Sequence, residues 1–206
     1  LEKLRGRLMF CRTLCFGRFA AVALRALNAA CARAGVGKTR GTVNTQRNLH
    51  PDLEHALLTL ARVLRQSPSR ILRVAYLVPV LLFTEGAGEP DSTGRFIGTI
   101  GGVLLDPSDG TYRYFGGTLS QSVMRALTSE SANPIAAVEV LAVWAALALW
   151  EERVSNRALL GFVDNDPAKH ALVRGSSPGA DLAACVDAAC ALEIRAKALC
   201  YWERVP

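Results

Sequence analysis

Residues 81–90 read LLFTEGAGEP, an apolar run that breaks off at an acid followed by small residues. The run that begins at Val78 and ends at Phe83 has the composition of a buried strand. Glu85 follows it directly, and the small residues after Glu85 leave room for a ligand or another part of the chain to approach closely. We therefore expect Glu85 to lie at the end of a strand, beside an approach site.

The sequence around this stretch predicts an α/β fold. Strands are expected over 78–83, 96–105 and 112–119, with DPSDG as the hairpin turn between the last two. A helix is expected over 134–152, followed by a strand that ends at Asp164. A short helix should follow with Asp166 as its N-cap and Pro167 next, and after it a helix over 181–198 and a last strand over LCYWERV. This order predicts a mixed sheet, in which antiparallel strands are continued by parallel ones.

The first part of the chain is expected to be helical and basic. Apolar residues recur at helical spacing over 1–34, and PDLEHALLTLARVLRQ (51–66) predicts a second amphipathic helix. The GVGKT segment between them does not fit a phosphate-binding loop, because the pattern requires glycine where Ala32 stands and a strand where an alanine-rich helix is expected. We expect a basic helical segment over 1–75 and a separate domain over 76–206, both as parts of a longer protein.

Charge is distributed unevenly along the chain. Residues 1–83 hold 14 of the 24 Lys and Arg residues but only three of the 18 acids. This asymmetry favours a first part that binds a polyanion and a second part that uses carboxylates, although a solvated basic helix face is an equally open reading. An arginine-rich targeting helix in front of another α/β domain is a third reading.

Cysteine use and hydropathy indicate the compartment. The six cysteines lie in apolar, alanine-rich segments without paired C-x-x-C spacing, which is typical of reduced, buried thiols. The longest charge-poor stretch, Pro134 to Trp150, is shorter than the roughly 20 residues that a membrane span requires, and it contains Glu139. We therefore expect an intracellular protein of the cytoplasm or nucleus, without a membrane partner.

Three acids fall in elements that could bring them together. Glu85 and Asp164 follow strands, and Glu139 lies in the first turns of a helix that is otherwise free of charge until Glu151. Glu139 shares a face with apolar residues, where an unpaired carboxylate would cost several kcal/mol. Carboxylates from two strands and a helix suit Mg²⁺, and two such ions can activate a water and stabilise a leaving oxygen in phosphodiester hydrolysis.

A family resemblance joins these segments. Six segments together resemble the ribonuclease H domain of retroelement reverse transcriptases: FTEGAGE, IGGVLLDP, YFGGTL, AAVEVLAVWAAL, LLGFVDNDPAKHALVRG and CYWERVP. The resemblance covers about 78–206 and implies a ribonuclease H-like mixed five-stranded sheet flanked by helices. The helices before it resemble, more weakly, the thumb or connection region of the polymerase part of the same polyprotein.

The resemblance also implies a function. It assigns Glu85, Glu139 and Asp164 as catalytic metal ligands for two Mg²⁺ ions, with Mn²⁺ as the alternative, and an RNA–DNA hybrid as the substrate. Arg153, Arg157, Lys169 and Arg174 are then the candidates for contacts to the nucleic-acid backbone, although an ordinary surface charge is the preferred reading of each.

Two departures from the family leave the activity open. Its first metal ligand is normally Asp, and Glu85 carries one more methylene. Its fourth acid follows the last strand, beyond Pro206. The sequence is therefore compatible with an active nuclease, with an inactive remnant of one, or with a non-catalytic nucleic-acid-binding scaffold.

Overall fold

The computed structural model describes residues 2–14, 21, 24–25, 27–29, 51–66, 78–128 and 134–205. The chain divides into two compact units, Leu1–Ser67 and Pro68–Pro206. Among the described residues, no helix is long and apolar enough to cross a membrane.

The first unit is helical where it is described. Helix α1 spans Glu2–Leu14 and helix α2 spans Pro51–Gln66, the latter with the bounds that the sequence predicts. Its small core consists of aliphatic side chains at helical spacing: Leu8, Leu24, Leu27, Leu53, Ala56 and Leu60. The GVGKT segment and much of the predicted helix over 1–34 lie outside the described residues.

The second unit is built on one five-stranded sheet. Its strands are β1 (Val80–Pro90), β2 (Phe96–Asp106), β3 (Thr111–Thr118), β4 (Ala158–Val163) and β5 (Leu199–Arg204). They lie in the order β3-β2-β1-β4-β5, with β1, β2 and β3 antiparallel and with β4 and β5 parallel to β1. The predicted fold class, a mixed sheet of three antiparallel strands continued by parallel ones, is confirmed.

Five helices are described in this unit: α3 (Gln121–Thr128), α4 (Ile135–Leu149), α5 (Glu151–Val154), α6 (Asp166–Arg174) and α7 (Ala180–Arg195). Of these, α3, α4 and α6 pack against the sheet. Helix α4 is central, because it packs against β1, β2 and α7 and is apolar on nearly every side. One buried core joins it to the sheet through residues such as Leu82, Leu104, Val143 and Leu159.

The element bounds differ from the sequence prediction in several places, and the helix predicted over 134–152 is two helices, α4 and α5, separated at Trp150. Strand β1 does not end at Phe83 but continues to Pro90, because β2 pairs with it along its whole length. Helix α3 was not predicted; it starts after Ser120 and buries Met124 and Leu127. The N-cap of α6 is Asn165 and not Asp166, since the Asn165 side chain accepts a hydrogen bond from the Ala168 N–H at 2.9 Å.

Candidate metal centre

Strand pairing brings Glu85 and Asp164 to the same place on the sheet. Strand β4 runs parallel to β1 only as far as the pair Phe83 and Phe162. Two residues further along the same register stand Glu85, which is still in β1, and Asp164, which follows the end of β4. Glu85 therefore lies inside β1, at the point where the pairing of β1 with β4 ends, and not at the end of the strand as the sequence predicts.

Helix α4 supplies the third acid through a close approach at Gly86. A Cβ placed on Gly86 would lie 2.6 Å from the backbone nitrogen of Glu139 and 2.7 Å from its Cα. Real Cβ atoms do not tolerate such distances, so only glycine lets the first turns of α4 rest on β1 here. This contact places Glu139 next to Glu85, and it explains the small residue that follows the acid in the sequence.

The three acids form one cluster. A carboxylate oxygen from each of Glu85, Glu139 and Asp164 lies within 4.8 Å of the other two. Glu85 and Asp164 are exposed, whereas Glu139 is only 1% exposed. The cluster is thus open to solvent on one side and closed by the core on the other.

Burial and, after it, repulsion between the acids raise pKa values in this cluster. Burial, followed by the negative charges of Glu85 and Asp164, raises the pKa of Glu139 to about 8. The backbone N–H of Gly86 donates to the Glu139 carboxylate and lowers its pKa, but by less than burial and repulsion raise it. The pKa of Glu85 is also raised, by partial burial and then by the charge of Asp164.

Glu139 retains an unsatisfied oxygen. Its Oε2 is buried and has no hydrogen-bond partner within the part of the chain that the structure describes. A buried carboxylate oxygen without a partner is costly, and a bound cation is a common remedy. Three carboxylates that repel each other and one orphaned oxygen make a donor set of the kind that Mg²⁺ prefers.

The proximity of the oxygens also suits a small divalent ion. Neighbouring ligand oxygens on an octahedral Mg²⁺ are about 3 Å apart and opposite ones about 4.2 Å, since each Mg–O bond is about 2.1 Å long. The oxygens of the cluster lie within 4.8 Å of one another, so no pair of them is more than about 2 Å wider than a neighbouring pair on the ion. Their number, charge and proximity suit Mg²⁺ or Mn²⁺.

The four basic residues predicted to contact nucleic acid lie outside this cluster. Two of them, Arg153 and Arg157, pair with acids at the turn between β2 and β3. Arg157 makes a two-pronged ion pair with Asp106, at 2.5 and 2.9 Å, and Asp106 is buried. Arg153 lies 3.4 Å from Asp109 in the same turn.

The other two basic residues belong to α6. Lys169 lies 3.2 Å from Glu203 and 4.0 Å from Asp166, and Arg174 is exposed in the last turn of the helix. Ion pairs within the protein partly neutralise Lys169, Arg153 and Arg157. As contacts to nucleic acid, these three residues and Arg174 remain predictions. In the sequence Asp106 is visible only as part of the DPSDG turn, and nothing local marks its pairing with Arg157.

The sheet defines the class of the domain. Three antiparallel strands, two parallel strands added beside β1, and a long apolar helix packed on β1 and β2 constitute a ribonuclease H-like fold. This topology of the second unit is the one that the sequence resemblance implies.

Comparisons with known proteins give matches among solved structures. No protein-family model and no curated protein sequence matches the chain. Ribonuclease H1 from the halophilic archaeon Halobacterium salinarum NRC-1 is similar in structure, with 18% identity, a TM-score of 0.48, and coverage of 62% of this chain and 86% of that chain.

Two further solved structures show a likeness of the same degree. LC11-RNase H1, isolated from compost by a metagenomic approach, has 10% identity and a TM-score of 0.48, and the match covers 63% of this chain and 86% of that one. The foamy viral protease-reverse transcriptase in complex with an RNA/DNA hybrid has 10% identity and a TM-score of 0.48, and the match covers 78% of this chain and 24% of that one. At these identities and TM-scores the likeness carries no conclusion about the activity of this chain.

Proposed function

We propose that the second unit is a metal-dependent nuclease that hydrolyses the RNA strand of RNA–DNA hybrids, as part of a retroelement reverse transcriptase. The observation that carries this proposal is the cluster of Glu85, Glu139 and Asp164, in which a buried oxygen of Glu139 has no partner among the described residues. A cluster of acids that is held by core packing, against its own repulsion, is typical of a functional site.

The chain's own residues would hold the ions and leave the substrate side open. Glu139 approaches from the core side, whereas Glu85 and Asp164 are exposed, so a phosphate group would reach the cluster from their side. Divalent ions bound by these acids would supply an activated water and stabilise the leaving oxygen of a phosphodiester. The Gly86 N–H holds the Glu139 carboxylate in place, so that it does not need to reorganise when the substrate arrives.

The choice of substrate and partner follows the family resemblance. An RNA strand paired with DNA would be bound mainly through its backbone and its 2′-hydroxyls, with little dependence on base sequence. The polymerase part of the same polyprotein would hold the template and primer in register with the cluster. Mg²⁺ is the expected ion and Mn²⁺ its substitute, because both accept carboxylate oxygens.

Glu85 provides the decisive test. Its extra methylene, compared with the aspartate of the family, moves the carboxylate by about 1 Å in a site whose geometry Mg²⁺ constrains closely. The chain and its Glu85→Asp variant are incubated with a labelled hybrid and Mg²⁺ or Mn²⁺, with Glu139→Gln and EDTA as controls. We expect Glu85→Asp to cleave at least about tenfold faster than the natural chain.

Each outcome of this test has a definite meaning. Cleavage by both forms, abolished by Glu139→Gln and by EDTA, supports an active nuclease. Cleavage by the Glu85→Asp variant alone supports a remnant that lost activity through one methylene. Absence of cleavage by both forms, at hybrid concentrations that saturate binding, rejects the catalytic proposal for this chain.

A non-catalytic scaffold is the second candidate function. It is favoured by the excess of basic residues in 1–83, where 14 Lys and Arg residues stand against three acids. Binding through phosphates weakens steeply as salt rises, because cations are released from the nucleic acid on binding. Strong salt dependence of hybrid binding, together with no metal-dependent cleavage by either form, would support the scaffold.

A further inference from the structure

The two edges of the sheet are covered differently. Strand β5 forms one edge, where α6 packs against it and the ion pairs Lys169–Glu203 and Asp166–Arg204 place charges along the strand. Strand β3 forms the other edge, and in the described part of the chain no element except β2 packs extensively along it. The sheet therefore has one covered edge and one edge that is open to another strand.

Strand β3 lacks the features by which edge strands commonly avoid pairing with other chains. Its sequence, TYRYFGGT, contains no proline, lysine or acid, and its pairing with β2 runs without a bulge. Its one charged residue, Arg113, is paired with the buried Leu104 and so lies on the face that the helices cover. On the opposite face, Tyr112 and Tyr114 are 71% and 85% exposed. The open edge is thus apolar and uncharged on its exposed face.

The backbone of β3 offers hydrogen-bonding groups along this edge. Directly after β3, the Leu119 N–H donates to the Gly98 carbonyl oxygen at 2.8 Å. In an antiparallel ladder, residues that bond to the neighbouring strand alternate with residues that do not. Counting back from Leu119, the residues that do not bond to β2 include Gly116, Tyr114 and Tyr112. Their N–H and C=O groups point away from the sheet, where a further strand can pair with them.

The side chains on this edge are complementary to a second copy of the same strand. In an antiparallel pair centred on Tyr114, this residue lies opposite Tyr114 of the second copy, and Tyr112 lies opposite Gly116 of the second copy. Directly opposed aromatic residues stabilise a pair of strands, and an aromatic ring can cover an opposed glycine. A pair centred on Arg113 would instead place two like charges opposite each other, which is unfavourable.

The glycine at position 116 agrees with this register. A Cβ on Gly116 would meet nothing in the described chain closer than the Ile100 carbonyl oxygen at 4.0 Å, and its φ is not positive. The fold of a single copy therefore does not require glycine here, although glycine weakens a strand. In the paired strands, the space beside Gly116 is filled by the ring of Tyr112 from the second copy.

We propose that β3 is a self-association edge, through which two copies of the chain pair antiparallel and join their sheets into one. The two tyrosines expose about 300 Å² per copy, and with the strand backbone the interface buries about 1,000 Å² in total, at the lower limit for specific interfaces. The dimer is therefore weak and reversible. The acid cluster is carried by β1, β4 and α4, so this interface leaves it open and does not depend on the proposed nuclease activity.

Lysine at Tyr114 tests the interface, because it places two positive charges at the centre of the paired strands. Sedimentation velocity of the full chain from about 1 to 500 µM should show a monomer–dimer equilibrium with a micromolar dissociation constant. We expect Tyr114→Lys to raise that constant at least about tenfold. The matched control is Tyr201→Lys, which changes a 57% exposed tyrosine on the same face of the sheet at the other edge and should leave the constant unchanged.

A second variant tests the register. Gly116→Val fills the space that the ring of Tyr112 from the second copy would occupy, and it should also raise the dissociation constant at least about tenfold. Valine has a higher strand propensity than glycine, so the melting temperature of this variant should stay equal or rise. Weakened association therefore cannot be attributed to a damaged fold.

Hydrogen exchange of the parent chain, followed by NMR, observes the pairing directly. The amides of Tyr112, Tyr114 and Gly116 should exchange quickly in dilute solution and more slowly as the concentration rises, because only the dimer gives them partners. The amides of Arg113 and Phe115, which bond to β2, should be protected at every concentration.

Each outcome decides the proposal. A parent that stays monomeric up to about 500 µM overturns it. Association that both lysine variants weaken equally, or that neither weakens, also overturns it, because the interface then lies on the whole sheet face or elsewhere. Exchange rates at Tyr112, Tyr114 and Gly116 that do not depend on concentration exclude strand pairing. Weakening by Tyr114→Lys but not by Gly116→Val supports the open edge as the interface and rejects the register centred on Tyr114.

Discussion

Replacing Glu139 by glutamine should stabilise the metal-free protein while it removes the activity. Glutamine keeps the shape of the side chain and accepts from the Gly86 N–H as the carboxylate does. The substitution therefore isolates one property, the ability of a buried group to become charged.

The size of the effect follows from the pKa of Glu139. The folded protein holds this pKa at about 8, compared with 4.5 for an ordinary glutamic acid. Between these two pH values the unfolded chain is deprotonated and the folded one is not, so the wild type loses about 1.4 kcal/mol of stability per pH unit. The loss is absent below pH 4.5, reaches about 3 kcal/mol at pH 7 and stops growing above pH 8.

Urea unfolding in EDTA, followed by circular dichroism at several pH values, measures this difference. Glu139→Gln should exceed the wild type by up to about 3 kcal/mol at pH 7, and the difference should shrink towards zero near pH 4. Saturating Mg²⁺ should narrow the gap at pH 7, because the ion binds the charged wild-type cluster more tightly than it binds the variant. A difference that does not change with pH would refute the reasoning.

Two further substitutions test how the site and its frame are held. Gly86→Ala should destabilise the second unit by about 1–3 kcal/mol in urea unfolding, because the new methyl group pushes α4 and Glu139 away from β1. The same displacement should weaken Mg²⁺ binding in calorimetry, and an unchanged Mg²⁺ affinity would contradict this prediction. Asp106→Asn should destabilise the protein at neutral pH, because it removes the charge that Arg157 pairs with, and the difference should vanish in acid. The hydrogen bonds from Arg157 hold the pKa of Asp106 well below its ordinary 3.8, although burial opposes them. The stability that the ion pair provides is therefore present above pH 3.8 and is lost as the pH falls below that value. A difference in stability between wild type and variant that does not change with pH would exclude the ion pair as its source.

Much of the fold could be predicted from the pattern of apolar residues. The hairpin turn at DPSDG, the apolar helix α4 and the strand before Asp164 all carry strong local signals, and their order restricts the topology. The length of β1 could not be predicted, because Glu85, Gly86 and Gly88 are poor strand residues by local preference. Pairing with β2 keeps this segment in the strand, and the sequence of β1 contains no trace of that partner.

The candidate site could also be predicted in part. The residue types of the three acids, and the strands and helix that carry them, were enough to single out these acids from the sequence. The pairing of Arg157 with Asp106 joins residues 51 positions apart, so it could not be found locally.

The amino-acid sequence alone determined the class of fold and the chemical nature of the site, because apolar periodicity, turns and carboxylates are local properties. Only the tertiary structure decided that Gly86 lies against the backbone of Glu139 and that the Glu139 carboxyl is buried with its pKa raised to about 8. Burial and electrostatic repulsion depend on distances between residues far apart in the chain, and those distances exist only after β1, α4 and β4 have packed together.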